Sequence, residues 1–249
     1  MGRLNGKVAV VTGGSRGIGR GIVGALAAEG ASVWAVARDE GRLKALEGEV
    51  PGVNTRAADI ADPEAAASIL AEARPDILVL NAGRQPHMAP VHEMSWEQFS
   101  AVWDTDVRAA FQFGKVALTQ PLAPGSLVIV VSSGAAINGS PLSGGYAGAK
   151  RMQWFLANYF QGESAALERG VRFVALLPKQ LVGSTELGAA AAAAYAARAG
   201  VSGEEFLKRF GTPLTPEGVG EAVLALALND AYREGVVFGV TGEGLERMD

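Results

Sequence analysis

The sequence predicts a doubly wound α/β fold, and three observations carry the prediction. Short runs rich in Val, Ile and Leu recur at Val8–Thr12, Ser32–Ala37, Asn54–Ala58, Ile77–Leu80, Leu127–Ser132, Arg172–Leu177 and Val236–Val240. Most are separated by stretches of helical length and composition, the alternation that builds βαβ units. Most runs are also continuously apolar, as strands of a parallel sheet covered by helices on both faces must be.

Taken in order, the first run passes directly into a glycine turn, Thr12-Gly13-Gly14-Ser15-Arg16-Gly17-Ile18-Gly19. The helix predicted over Ile18–Glu29 is stopped by Gly30, because glycine accepts the left-handed backbone of a helix end. Asp62-Pro63-Glu64 reads as an N-cap, a first-turn proline and an acid near the positive helix end. The alanine run Ala189–Ala194 continues to Arg198 and is followed by a helical stretch around Glu204–Phe210. Alanine favours helix and has nothing to anchor it in a sheet, so this region reads as an inserted helix pair covering a substrate site over about residues 185–210. A flexible linker is the alternative reading. No other biased segment divides the chain, which predicts one domain over residues 1–249.

Composition narrows the partners. The 249 residues carry a net charge of −4 and are 49% hydrophobic, enough to build one sizeable core. An acidic balance argues against nucleic acid and anionic membrane as partners, leaving small molecules or copies of the chain. The absence of cysteine excludes disulfide and thiolate chemistry, and with only His87 and His92 available no metal site is expected. No apolar run is long enough for a membrane span or signal segment, so a soluble cytoplasmic protein is expected.

Glycines at a strand-to-helix junction let the backbone approach a pyrophosphate, whose charge the free N–H groups at the helix start favour. The spacing here is Gly-x3-Gly-x-Gly and differs from the Gly-x-Gly-x-x-Gly dinucleotide pattern. Further along, Tyr146 and Lys150 stand four apart at the start of a stretch that reads as helix to about Glu168, so both lie on one helix face. Free tyrosine has a pKa of about 10 and needs a neighbouring cation to act as a base near neutrality. Lys150 is placed to be that cation, with Tyr146 donating the proton to oxygen in the reverse direction.

Together, Thr12-Gly13-Gly14-Ser15-Arg16-Gly17-Ile18-Gly19, Asn81-Ala82-Gly83, Ser133 and Tyr146-x-x-x-Lys150 resemble the classical short-chain dehydrogenases/reductases over nearly the whole chain. The resemblance implies a single Rossmann-type domain with a seven-stranded parallel sheet. It also implies a dimer or tetramer built on the long helices after the fourth and fifth strands, and an NAD(P)-dependent hydride transfer on a carbonyl or alcohol. It puts Gly13, Gly17 and Gly19, with Ser15, Arg16 and Ile18, at the pyrophosphate; Asp59 and Ile60 beside the adenine; and Asn81, Ala82 and Gly83 on the adenosine side. Asp59 also reads as a turn cap, and Asn81-Ala82-Gly83 as a plain turn.

The resemblance makes Ser133, thirteen residues before Tyr146, the serine that holds the substrate oxygen. Alternation along the strand points its neighbour Ser132 to the other side. Lys150 also reaches the nicotinamide ribose in the family. At the end of the second strand Ala37 stands where NAD-selecting members have an acid, while Arg38 and Arg16 resemble the basic pair of NADP-preferring members. This favours NADP(H), with NAD(H) left open, because Asp39 is also within reach of the ribose and both arginines are compatible with ordinary surface charge.

Two departures stand out. The family's asparagine that anchors a water relay to the lysine is replaced by Asp106, which can keep the relay through its main-chain carbonyl or add a charge. The family's Pro-Gly after the sixth strand is Pro178-Lys179 here, and Thr185 or Ser184 stands in for the hydroxyl that contacts the carboxamide. Lys179 reads as a surface charge or as a partner for an acidic substrate group. The alanine-rich region after it suggests an uncharged or lipophilic carbonyl compound. The competing readings are a cofactor-binding regulator or scaffold without turnover, and an epimerase or dehydratase. Aromatic residues on the two long helices, among them Trp96, Phe111 and Tyr159, read as core or as subunit interface.

Overall fold

Each predicted run becomes a strand: the apolar ones because such a run satisfies its backbone groups and buries both faces only inside a covered sheet, and Asn54–Ala57, which is polar and partly exposed, as an edge strand. The computed structural model describes residues 2–249. Its first half runs β1 (Val8–Thr12), α1 (Gly17–Ala28), β2 (Ser32–Ala37), α2 (Glu40–Glu49), β3 (Asn54–Ala57), α3 (Ala65–Ala73), β4 (Ile77–Leu80), α4 (Trp96–Ser100) and α5 (Arg108–Thr119). The second half runs β5 (Leu127–Val131), α6 (Ala135–Asn138), α7 (Tyr146–Ala166), β6 (Arg172–Pro178), α8 (Glu186–Ala199), α9 (Gly203–Lys208), α10 (Pro216–Leu228), β7 (Val237–Thr241) and β8 (Gly244–Arg247).

The strand order is β3-β2-β1-β4-β5-β6-β7-β8. Seven strands are parallel, as the sequence predicts for its seven runs, but an eighth is added: β8 pairs antiparallel with β7, with Val240 opposite Leu245. The sequence reading misses it because Gly244-Leu245-Glu246-Arg247 is a short, charged edge strand closed by a tight hairpin, without the apolar run of a buried strand.

One core lies between the sheet and α1, α2 and α10, and the other between the sheet and α3, α5 and α7. Within β1, Ala9 and Val11 enter the first and Val10 the second, the period-two alternation of a strand covered on both faces. The order reverses between β1 and β4, which opens a crevice at the carboxyl ends of the strands where open α/β sheets bind ligands.

A second difference concerns α3. Asp62 does not cap it: its side chain accepts from Glu64 N in a preceding turn, and Glu64 is the N-cap residue. The alanine-rich segment forms α8 and α9, in agreement with the helical reading. Among the described residues no helix is long and apolar enough to cross a membrane.

Candidate active site

Three adjoining cavities follow the strand ends. The first, about 260 Å³, is bordered by Ser15, Arg16, Arg38, Asp39, Asp59 and Ile60 among others. The second, about 290 Å³, runs from the glycine turn past Asn81, Ala82 and Gly83 to Tyr146 and Lys150. The third, about 310 Å³, has Ser133 and Tyr146 in its wall and is otherwise mostly apolar, with Met88, Leu187, Tyr195, Phe206 and Phe210. Tyr146 borders both the second and the third.

The glycine turn has the shape of a cradle. Gly13 and Gly17 have φ of +68° and +51°, a region open to glycine. A Cβ on Gly19 would lie 2.0 Å from Gly13 O, and one on Gly13 would lie 2.8 Å from Ala82 Cα. The first turn of α1 has no side-chain cap, which leaves its N–H groups facing the second cavity. This geometry fits the pyrophosphate of a dinucleotide.

Asn81 works structurally at this junction: its Nδ2 donates to Thr12 O at 3.1 Å, and its backbone N–H donates to Thr12 Oγ1 at 3.0 Å. The buried Thr12 hydroxyl also accepts from Ala82 N at 3.1 Å, so one side chain ties β4 to the glycine turn. Asp59 accepts from Ala61 N at 3.0 Å and caps its own turn while bordering the first cavity.

At the reacting end, Tyr146 opens α7 and Lys150 lies one turn on, its Nζ 5.6 Å from the centre of the Tyr146 ring. Lys150 is buried, and its ammonium sits 3.2 Å from Oδ2 of Asp106, which is fully buried. Burial by itself lowers a lysine pKa, but the charges of Asp106 and Tyr146 outweigh it and hold Lys150 above its ordinary value.

Asp106 lies in a π-helical turn, Trp103–Val107, between α4 and α5. Its Oδ1 accepts from Arg84 N at 2.8 Å, and its main-chain carbonyl accepts from Gln153 Nε2 of α7 at 3.1 Å. Thus the carbonyl already has a donor, and it is the carboxylate that meets the lysine. Trp103 of the same turn donates to Gly145 O, immediately before Tyr146, so the π turn braces α7 at two points. A Cβ on Gly83 would lie 2.6 Å from Asp106 Oδ2, so glycine is required there too.

Ser132 and Ser133 both border the third cavity, and Ser132 borders the second as well, so the strand's alternation does not by itself separate them. They differ in partners: Ser132 is buried and donates to Lys150 O at 2.7 Å, whereas Ser133 accepts from Ala135 N at 3.2 Å and its own hydroxyl proton has no protein acceptor among the described residues. Thr185 caps α8 by accepting from Gly188 N at 3.0 Å and donating to Val182 O at 2.8 Å. Pro178 ends β6 at the wall of the third cavity.

A family model described as short chain dehydrogenase matches residues 7–195. The chain belongs to the short-chain dehydrogenase family. It is 36% identical over 130 residues to L-xylulose reductase of Bos taurus, covering 52% of this chain and 53% of the relative. A short chain dehydrogenase of Pseudocercospora fijiensis is 34% identical over 202 residues, 76% of this chain and 63% of the relative. Carbonyl reductase [NADPH] 2 of Sus scrofa is 34% identical over 132 residues, 52% of this chain and 54% of the relative. The matches thus span about half to three-fifths of the length of these relatives. Among solved structures, 3-ketoacyl-(acyl-carrier-protein) reductase from Brucella melitensis, complexed with NADH, superposes with a TM-score of 0.79 at 25% identity. The superposition covers 96% of this chain and 98% of that one.

In this member of the family, Lys179 pairs with Glu246 of β8. Its own backbone crowds Gly134, where a Cβ would lie 2.9 Å from Lys179 Cα. The requirement for a residue without a side chain therefore falls on Gly134. Sequence reasoning also missed Gln153 and Glu186, whose partners Asp106 and Arg16 are 47 and 170 residues away, beyond any local pattern.

Proposed function

We propose that the protein is an NAD(P)-dependent oxidoreductase that passes a hydride between a nicotinamide and a small, uncharged carbonyl compound or the matching alcohol. The observation that carries this reading is Tyr146, backed by the buried Lys150–Asp106 pair, at the boundary between the cleft of the glycine cradle and the apolar cavity of Ser133. When bound, the dinucleotide supplies or accepts the hydride. Gly13, Ser15, Arg16, Gly17, Ile18 and Gly19 hold its pyrophosphate; Arg38, Asp59 and Ile60 hold the adenosine end with Asn81, Ala82 and Gly83. Tyr146, Lys150, Pro178 and Thr185 hold the nicotinamide end.

In reduction, the Ser133 hydroxyl fixes the substrate oxygen by a hydrogen bond and Tyr146 gives that oxygen its proton. Lys150 then faces the resulting phenolate as a cation, and Asp106 fixes the ammonium. In oxidation the phenolate takes the alcohol proton back. Met88, Leu187, Tyr195, Phe206 and Phe210 keep the third cavity apolar, which favours uncharged substrates and excludes water. We further propose that α8 and α9 form the lid over it and that the chain self-associates through α5 and α7, where Phe111 and Tyr159 are exposed.

NADP(H) is the favoured nucleotide, because Arg16, Arg38 and Arg42 surround the adenosine cavity and Ala37 occupies the strand end. The NADPH in the name of the Sus scrofa relative agrees with this, and the NADH of the Brucella melitensis complex keeps the other nucleotide in play. A binding protein without turnover is the weaker reading, since it has no use for a costly buried ion pair placed against a tyrosine at a cavity mouth.

The test is a spectrophotometric screen of ketones and alcohols with both nucleotides. Tyr146→Phe is expected to lower kcat by about 10²- to 10⁴-fold while leaving nucleotide binding intact; unchanged turnover sinks the mechanism. Arg38→Ala is expected to weaken NADPH use far more than NADH use, and equal losses reject the cofactor preference.

A further inference from the structure

Glu186 opens α8, and its carboxylate reaches across the nucleotide cleft to two arginines on the opposite wall. It pairs with Arg16 of the glycine turn through one oxygen and with Arg42 Nη1 of α2, at 2.9 Å, through the other. Arg42 is shared with Asp39, whose Oδ2 lies 3.3 Å from its Nε. Arg38 borders the same cavity and has no carboxylate partner among the described residues. The adenosine end therefore holds three guanidinium groups and the carboxylates of Asp39 and Asp59, and Glu186, which borders the neighbouring cavity, brings a third carboxylate to two of the arginines from α8.

We propose that Glu186 sets the discrimination between 2′-phosphorylated and unphosphorylated dinucleotides, by competing with the 2′-phosphate for Arg16 and Arg42. The proposal rests on the nucleotide-binding reading of this cleft. Arginine takes carboxylate and phosphate with the same planar fork, so the two anions are direct rivals for one pair of side chains.

Magnitudes favour exchange. Glu186 is 57% exposed and its arginines 49% and 42%, and ion pairs this open contribute about 0–1 kcal/mol each. A phosphate monoester carries roughly twice the charge of a carboxylate at neutral pH and so displaces it. A bare 2′-hydroxyl brings no charge and leaves Glu186 in place. Displacement of Glu186 thus releases its ion pairs from α8 to the glycine turn and to α2, and it does so for the phosphorylated nucleotide alone.

The experiment measures binding rather than turnover. Calorimetry with 2′-phospho-ADP-ribose and with ADP-ribose, both lacking the nicotinamide, compares the wild type with Glu186→Gln and Glu186→Ala. Both variants change a half-exposed side chain, and their thermal unfolding checks the fold. Each is expected to tighten the 2′-phosphorylated fragment by about three- to tenfold and to leave ADP-ribose within about twofold. Equal tightening of both fragments overturns the proposal, because Glu186 then acts on the shared pyrophosphate. No change with either fragment also overturns it. If the wild type binds neither fragment, the nucleotide-binding reading itself fails, an outcome distinct from the other two.

Discussion

At the residue scale, the chemistry converges on the Asp106 carboxylate and the Lys150 ammonium, 3.2 Å apart and both buried. Asparagine at position 106 would leave the lysine charge uncompensated; aspartate offsets part of the field that Tyr146 feels. Asp106→Asn is therefore expected to move the rise of alcohol oxidation with pH to lower pH, read from kcat/KM profiles, and an unmoved profile counts against an electrostatic role. The stability linkage has a definite sign. Lys150 is held above its ordinary value, so the pair's contribution is complete below about pH 10.4 and is lost as pH rises through the raised value. The difference in unfolding free energy between wild type and Asp106→Asn should be flat from neutrality to about pH 9. Tyr146 and Lys150 stand out in the sequence by their four-residue spacing, and Asp106 only by its place in the family resemblance. The use of the Asp106 carbonyl by Gln153 was not legible, because only the packing of the π turn on α7 joins them.

At the element scale, β1 and β4 form the reversal that opens the cleft, and Asp76 fastens their opposite ends. Its carboxylate accepts from Lys7 Nζ and from Val8 N, each at 2.9 Å. Partial burial raises its pKa, but the hydrogen bonds from Lys7 and Val8 prevail and lower it. A depressed carboxylate stabilises above its unfolded value, about 3.9, and loses that contribution as pH falls through the folded one. Asp76→Ala is expected to cost about 1–3 kcal/mol near neutrality, with the gap to wild type narrowing below about pH 4 in chemical unfolding followed by circular dichroism. The strands were readable because a short, continuously apolar run bounded by turn residues suits a covered strand and little else. The start of α3 lies later than its sequence suggests, since Asp62-Pro63-Glu64 fits a cap and a turn equally well and the choice depends on where the chain meets the sheet. For β8, a charged edge strand carries no apolar signature at all.

At the scale of the whole molecule, the cleft is assembled from segments distant in sequence, and α8 and α9 close its far side. The order of the sheet up to β7 followed from the alternation of runs and helices, whereas the ion pairs of α8 across the cleft did not, because they join positions with no sequence relation. The exposed Phe111 and Tyr159 on α5 and α7 are 49% and 57% accessible. On the proposal that the chain self-associates through α5 and α7, the wild type is expected to sediment as an oligomer and the paired replacement, Phe111→Glu with Tyr159→Glu, toward the monomer. A wild type that sediments as a monomer, or a coefficient unchanged by the replacement, rejects that surface.

Gly134 packs against the main chain of Lys179 and not against its side chain. A library that diversifies position 134 therefore meets a wall of backbone that no exchange at position 179 removes, and it returns mostly inactive clones. Diversity in the floor of the apolar cavity has to come from the Lys179 side chain, with Glu246 as its charge partner, while glycine stays fixed beside it.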